Sequence, residues 1–248
     1  MMHPCDMIFE AVNGDLYAVV KETINGHYYK FTKNNCYKLT WAGGNDYVIK
    51  DDNNREMIIS PDDNKEFIIR KGNSIQTYTG ISFFPLDPRP EEIKIIDIAH
   101  ALSNICRFTG HCNSFYSVAE HSVLCAREIQ EHFRSINSLY GLLHDASEAY
   151  ICDIASPIKK NKKMGFYRDA EDVLSKMIYN VFNLTEPEPE IVKIVDKRLL
   201  VTEQEQLFSN KLKWETNNSL PLDIVIEGWP PKVAQNKFLE TFKDLIIK

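Results

Sequence analysis

The sequence predicts an α+β chain of 248 residues in two domains, a small, strongly bent β-barrel over residues 1–76 and an all-α helical bundle over residues 77–248. Three observations predict it. Residues 7–72 alternate apolar and polar side chains, the pattern of half-buried strands. After Gly80 the apolar residues recur at helical spacing. Between the two patterns lies KGNSIQTYTG, whose glycines and small polar residues suit a domain boundary.

The strands come first. LYAVVKE, YYKFT, NCYKLTW, DYVIKD and REMIIS are short, rich in β-branched and aromatic residues, and separated by the turn signals NG, KNN, GGN and DDNN. Strands this short and close together cannot make a large sheet, so a small barrel is the economical arrangement. The layout of a first strand, a longer loop and a meander ending at SPDDNKEFI resembles that of SH3-like barrels.

The helices follow. PLDPRPEEIKIIDIAHALSNICRF opens with prolines and acidic residues, which favour a helix N-terminus, and then sets Ile93, Ile96, Ala99, His100 and Ser103 along one side. Ser117 and Glu120 have the spacing of a capping box, with Val118, His121, Ser122, Cys125, Ile129 and Phe133 at helical intervals beyond. Further helices are predicted over 138–151, 168–182, 188–212 and 231–247, with Val173, Met177 and Val181, and then Phe238, Phe242 and Leu245, marking buried faces.

Composition narrows the function. With 44% hydrophobic and 26% charged residues the chain reads as globular, and a formal net charge of -6 gives no general affinity for a nucleic-acid backbone. An anionic ligand must therefore meet a local basic cluster. No apolar run approaches a membrane span, and MMHPCDMIFE lacks the basic and apolar regions of a secretory signal, so a cytoplasmic protein is expected. The six cysteines, Cys5, Cys36, Cys106, Cys112, Cys125 and Cys152, contain no CxxC pair and read as reduced packing residues.

One constellation carries chemistry. His121 sits just inside a helix on its apolar side, His144 and Asp145 stand at the polar edge of the apolar run YGLLHDASEAY, and Asp196 interrupts the apolar face of EIVKIVDKRLL. Neutral imidazole nitrogens and ionised carboxylates hold borderline and hard divalent metals, and two of each leave positions open for water and substrate. An aspartate between Val195 and Leu199 is costly to bury without a cation, which adds to the metal reading. Glu148 lies one helical turn beyond His144 and shares its face.

The order His121, His144-Asp145, Asp196 is similar to the H…HD…D signature of the HD-domain metal-dependent phosphohydrolases, over roughly residues 95–212. HDASEAYICDIASPIK resembles the corresponding segment of the HD-domain 5′-deoxynucleotidases and of related phage-encoded deoxynucleoside triphosphatases. GISFFPLDP and IAHALSNICRFTGH resemble segments of phage-encoded HD proteins. The resemblance implies a divalent cation (cobalt, manganese, magnesium, zinc or iron) on His121, His144, Asp145 and Asp196. It also implies catalysis by Asp145 and by Glu148, which orients or deprotonates a water. Asp153 matches an aspartate that accepts from the sugar 3′-hydroxyl, although a helix cap or a loop turn suits the residue equally. Lys159, Lys193 and Arg107 match groups that meet substrate phosphate, and Phe108 stands where relatives carry a tryptophan against the sugar.

Three readings are carried forward. The first is a 5′-deoxyribonucleotidase that releases phosphate from deoxynucleoside monophosphates; the second is a dNTP triphosphohydrolase that releases tripolyphosphate. The third is a non-catalytic module binding a nucleotide or a protein. The resemblance also implies a deoxynucleotide substrate, self-association into a homo-oligomer and, for a phage protein, residence in the host cytoplasm; from the net charge and the lack of a long apolar run, no nucleic-acid polymer and no membrane are expected as partners.

Overall fold

The computed structural model of the protein describes residues 16–20, 22–26, 28–33, 35–60, 67–133, 137–209 and 219–247. The chain is α+β and divides into two compact units, Met1–Glu92 and Ile93–Lys248. The division falls after Glu92, whereas the sequence pattern sets it between residues 76 and 77. The reason lies in Arg70, described below, whose partners include Asp87 and Glu92.

The first unit holds β1 (Leu16–Val20), β2 (Ile24–Asn25), β3 (Lys30–Phe31), β4 (Cys36–Gly43), β5 (Asp46–Lys50), β6 (Glu56–Ile59), β7 (Phe67–Lys71), β8 (Ile75–Gln76) and β9 (Ser82–Phe83). Five of them form an antiparallel sheet in the order β6-β5-β4-β1-β7, while β2-β3 and β8-β9 are separate two-stranded pairs. Alternate residues of β1, Leu16, Ala18 and Val20, are buried, and the register sets Leu16 opposite Leu39 and Val20 opposite Phe67. The period of two thereby brings the inward residues of three strands into one core. Phe31 adds edge-on contacts to Tyr37 at 5.0 Å and Phe67 at 5.3 Å, each worth about 0.5–1.5 kcal/mol beyond the area it buries. The GGN signal turns β4 into β5 through Gly43 and Gly44, whose φ values of 125° and 57° a side chain would resist. The described pairings leave β6 and β7 as the edges of an open sheet, so they do not complete the expected barrel. Residues 61–66, where the predicted meander ends, lie outside the described residues, as do Cys5 and residues 210–212 of the predicted helix 188–212.

Arg70, on the edge strand β7, is buried, with 1% of its surface exposed. Its Nε donates to Asp87 Oδ2 at 3.0 Å, its Nη2 to Glu92 Oε2 at 3.1 Å, and its Nη1 pairs with Glu92 Oε1. Nη2 also donates to the Asp87 carbonyl, and the guanidinium lies 4.2 Å from the centre of the Phe84 ring.

The second unit is helical: α1 (Ile95–Asn104), α2 (Val118–Phe133), α3 (Ser138–Leu143), α4 (Glu148–Ile151), α5 (Ser156–Lys159), α6 (Gly165–Val181), α7 (Glu190–Leu207) and α8 (Pro231–Ile246). α2 is the central element, packed by α1, α3, α7 and α8. It is accordingly buried on nearly every side from Val118 to Ala126, as a core helix must be. α1 buries Ile98, Ala99, Leu102 and Ser103, with Ile96 and His100 of the predicted face only half-buried. The predicted helix 138–151 is two helices joined by turns at His144–Ser147. On α6 the buried residues are Leu174, Ile178 and Tyr179; Val173 is exposed and Met177 and Val181 are half-buried, because Tyr179 packs edge-on against Tyr140 at 5.4 Å and sets the inward face. Phe238 and Phe242 of α8 are buried as predicted, with Leu245 half-buried. Among the described residues no helix is long and apolar enough to cross a membrane. Of the described cysteines, all free, Cys125 is buried, Cys152 is exposed and the rest are intermediate.

Candidate metal centre

The N-terminus of α2 fixes the first ligand. Ser117 Oγ accepts from the Glu120 backbone N–H at 3.1 Å, half of the predicted capping box. The Glu120 side chain does not return to complete it; its carboxylate accepts from the backbone N–H groups of Glu227, Gly228 and Trp229 at 3.2, 3.0 and 2.6 Å. That clasp ties the segment before α8 to the start of α2. His121 follows, with its side chain wholly buried.

The second histidine depends on a close helix approach. α3 crosses α2 at Gly141, where a Cβ would stand 2.7 Å from Ile129 Cδ1 and 3.2 Å from Ala126 Cα, so the helices meet this closely only because residue 141 has no side chain. His144 lies one turn further and its Nδ1 is 2.9 Å from the Gly141 carbonyl. His121 Nδ1 lies 2.6 Å from Glu203 Oε1. A carbonyl and a carboxylate only accept, which assigns the proton of each neutral ring to Nδ1. The two Nε2 atoms then face one another at 3.2 Å with lone pairs outward. Two bare acceptors at that distance repel unless a metal cation or a further proton lies between them.

Both predicted aspartates border this point. Asp145 Oδ2 is 3.3 Å from His144 Nε2 and 3.6 Å from His121 Nε2. Asp196 Oδ1 is 3.2 Å from His121 Nε2 and 4.0 Å from His144 Nε2. Ligands about 2.1 Å from one ion stand about 3.0–3.4 Å apart when they are neighbours, so most of these separations suit a common cation. His121, His144 and Asp145 converge most tightly. Asp196 departs from its prediction as a buried aspartate: its side chain is 40% exposed. It borders the buried stripe Val192, Val195, Leu199 of α7 without lying within it.

The electrostatics favour positive charge here. Burial alone would lower the proton affinity of His144, but the Asp145 carboxylate overrides it and raises the pKa to about 10. Burial would likewise raise Asp145, yet His144, His121 and Arg107 hold it well below the usual carboxylate range. Glu148 moves the other way: burial, then Asp145 and Asp153, push it up to about 9. Its Oε2 is buried and has no hydrogen-bond partner among the described residues.

The remaining predicted residues gather around the same point with unequal freedom. Arg107 is bound by Asp145 Oδ2 at 3.4 Å and Glu203 Oε2 at 3.2 Å. Phe108 has a left-handed φ of 53° and packs edge-on against Phe208 at 5.2 Å, with the Arg107 guanidinium 5.4 Å from its ring centre. Asp153 is half-buried, and burial raises its pKa, with Arg107 opposing. Lys159 pairs with Glu171, and Lys193 is exposed. Both lysines line, with His144 and Asp145, a cleft of about 610 Å³ whose wall also carries Glu171, Asp172, Glu186 and Glu188.

Sequence reasoning missed Glu203, Tyr116 and Gly141. Glu203 is wholly buried and accepts from Tyr116 Oη at 2.9 Å besides its contacts to His121 and Arg107. A signal was present: it stands seven residues after Asp196, two turns on and close to the same face of α7.

No family model matches the chain. An uncharacterized protein of Rhodobacter capsulatus is 36% identical over 117 residues, which are 44% of this chain and 57% of the relative. The uncharacterized protein YfdR of Escherichia coli is 34% identical over 174 residues, 69% of this chain and 94% of the relative. With nearly the whole of that relative spanned at this identity, the chain belongs to the YfdR family.

Proposed function

We propose that the chain is a metal-dependent phosphohydrolase of the HD-domain type that hydrolyses deoxynucleoside 5′-monophosphates to deoxynucleosides and phosphate. The observation that carries the reading is the pair of Nε2 atoms turned toward each other at 3.2 Å, with both Nδ1 atoms committed to acceptors and two aspartates alongside. His121, His144, Asp145 and Asp196 would hold the divalent cation. When bound, it supplies Lewis-acid neutralisation of phosphate charge and makes water more acidic.

The chain's own residues supply the rest. A phosphomonoester dianion repels a nucleophile, so positive groups must surround it. Arg107, Lys159 and Lys193 are those groups, with Lys159 giving up part of its pairing to Glu171. Glu148, whose Oε2 has no partner among the described residues, would orient the attacking water and, in its ionised form, take the proton from it. Phe108 walls the sugar and Asp153 accepts from its hydroxyl. The five cleft carboxylates, Asp145 among them, outnumber Lys159, Lys176 and Lys193, which favours one phosphate over three.

The test is a panel of dNMPs, NMPs and dNTPs incubated with cobalt, manganese, magnesium, zinc or iron, with products separated by chromatography. Orthophosphate from dNMPs is expected. Tripolyphosphate from dNTPs would replace the monophosphate reading, and no product from any substrate would reject hydrolysis.

A further inference from the structure

We infer that Glu203 is a positioning residue of the metal centre: it fixes Nε2 as the ligand atom of His121 and draws Arg107 away from Asp145. The inference rests on the metal-site reading above and extends it to a residue outside the four ligands. Glu203 is 0% exposed, and a carboxylate so far out of water is retained only where donors surround it. It has three, Nδ1 of His121 at 2.6 Å, the Tyr116 hydroxyl at 2.9 Å and Arg107 Nη2 at 3.2 Å.

The two oxygens do different work. Oε1 accepts the hydrogen bond from His121 Nδ1–H, which leaves the Nε2 lone pair outward and, because the acceptor is anionic, makes that lone pair more basic. His144 has only a neutral carbonyl for the same purpose. Oε2 takes one nitrogen of Arg107, whose other terminal nitrogen reaches Asp145 Oδ2 at the longer distance of 3.4 Å. That same Asp145 oxygen lies 3.3 Å from His144 Nε2 and 3.6 Å from His121 Nε2, so an arginine given wholly to Asp145 would compete with a cation for it. Glu203 divides the guanidinium and leaves the oxygen accessible. Because α7 carries both Asp196 and Glu203, one helix brings a ligand and its support together.

The test uses metal-free full-length protein titrated with zinc by calorimetry, comparing wild type with Glu203→Gln and Tyr116→Phe, each also melted in chelator. Glu203→Gln should bind zinc about 10–100-fold more weakly. Tyr116→Phe, which removes a neutral donor and keeps the charge, should stay within about threefold. Imidazole NMR of the zinc-loaded wild type should show a strongly downfield His121 Nδ1 proton, lost in Glu203→Gln and kept in Tyr116→Phe, a signature that a purely structural role would not move. Equal zinc affinities for wild type and Glu203→Gln would overturn this inference alone. A wild-type His121 protonated on Nε2 would overturn it without any variant, and a wild type that takes up no zinc would overturn the metal reading with it.

Discussion

Arg70 in the sheet unit and Glu148 in the helical unit are both ionisable side chains taken out of water, and the fold treats them in opposite ways. All three guanidinium nitrogens of Arg70 have partners, shared between Asp87 and Glu92, and its flat face lies against Phe84. Glu148 has a buried oxygen with no partner among the described residues and two aspartates that raise its proton affinity. A buried charge that is fully answered belongs to the architecture. One left partly unanswered, beside imidazoles already aligned, marks a place where a ligand or a proton is to be handled.

The largest effect expected from breaking this contrast is at Glu148. Glu148→Gln keeps the shape and removes the capacity to take a proton, so turnover on the best substrate should fall about 10²–10⁴-fold with metal uptake unchanged. Near-normal turnover would remove Glu148 from the chemistry. The same variant carries a stability signature of defined sign. Since the folded pKa of about 9 lies above the ordinary value, ionisation of the unfolded chain erodes stability as pH rises from about 4.3 toward 9. Glu148→Gln should abolish that slope and be more stable than wild type at pH 7 in chelator by about 1–3 kcal/mol. A variant no more stable than wild type there would mean that the carboxyl is already answered.

The contrast was only partly legible in the sequence. His121, His144 and Asp145 could be found because adjacency and helical spacing are local; α2 and the turn after α3 bring them together, and Asp196 of α7 lies 3.2 Å from His121 Nε2. What depends on distant partners was hidden. Glu120 fits a capping box by spacing, yet its carboxylate binds residues 227–229, more than a hundred positions away. Asp196 read as buried because its neighbours Val195 and Leu199 are, while the side chain itself stands at the rim. The inward face of α6 is chosen by Tyr140, so periodicity alone selected Val173, one residue from the buried Leu174. Strand existence followed from alternation, whereas the sheet order β6-β5-β4-β1-β7 rests on pairings that no local pattern fixes.

Arg70 gives the next largest effect. Arg70→Met has similar bulk but leaves Asp87 and Glu92 facing an apolar side chain, and removing one partner of a buried ion pair costs about 3–5 kcal/mol. The loss should appear as faster amide hydrogen exchange in β1 and β7, with metal affinity and turnover of the full-length protein unchanged. Loss of turnover at full metal occupancy would show that the cluster serves more than architecture.

Gly141 tests the contrast most finely, because there packing rather than charge governs the centre. An alanine at 141 gains helix propensity of up to about 1 kcal/mol over glycine. Its Cβ, however, would meet Ile129 Cδ1 at 2.7 Å and Ala126 Cα at 3.2 Å. The Ile129 methyl can turn aside; the Ala126 backbone cannot, so α3 must move outward by a few tenths of an ångström. Overpacking of this kind costs about 1–3 kcal/mol, which leaves Gly141→Ala less stable by about 1 kcal/mol. His144 begins one turn beyond and takes its orientation from the Gly141 carbonyl, so the same displacement widens the 3.2 Å gap between the imidazole nitrogens. Zinc affinity should therefore fall by more than the change in melting temperature accounts for. If affinity and stability fall in proportion, or affinity does not change, the close crossing of α2 and α3 serves the core alone and the ligands are placed by their hydrogen bonds.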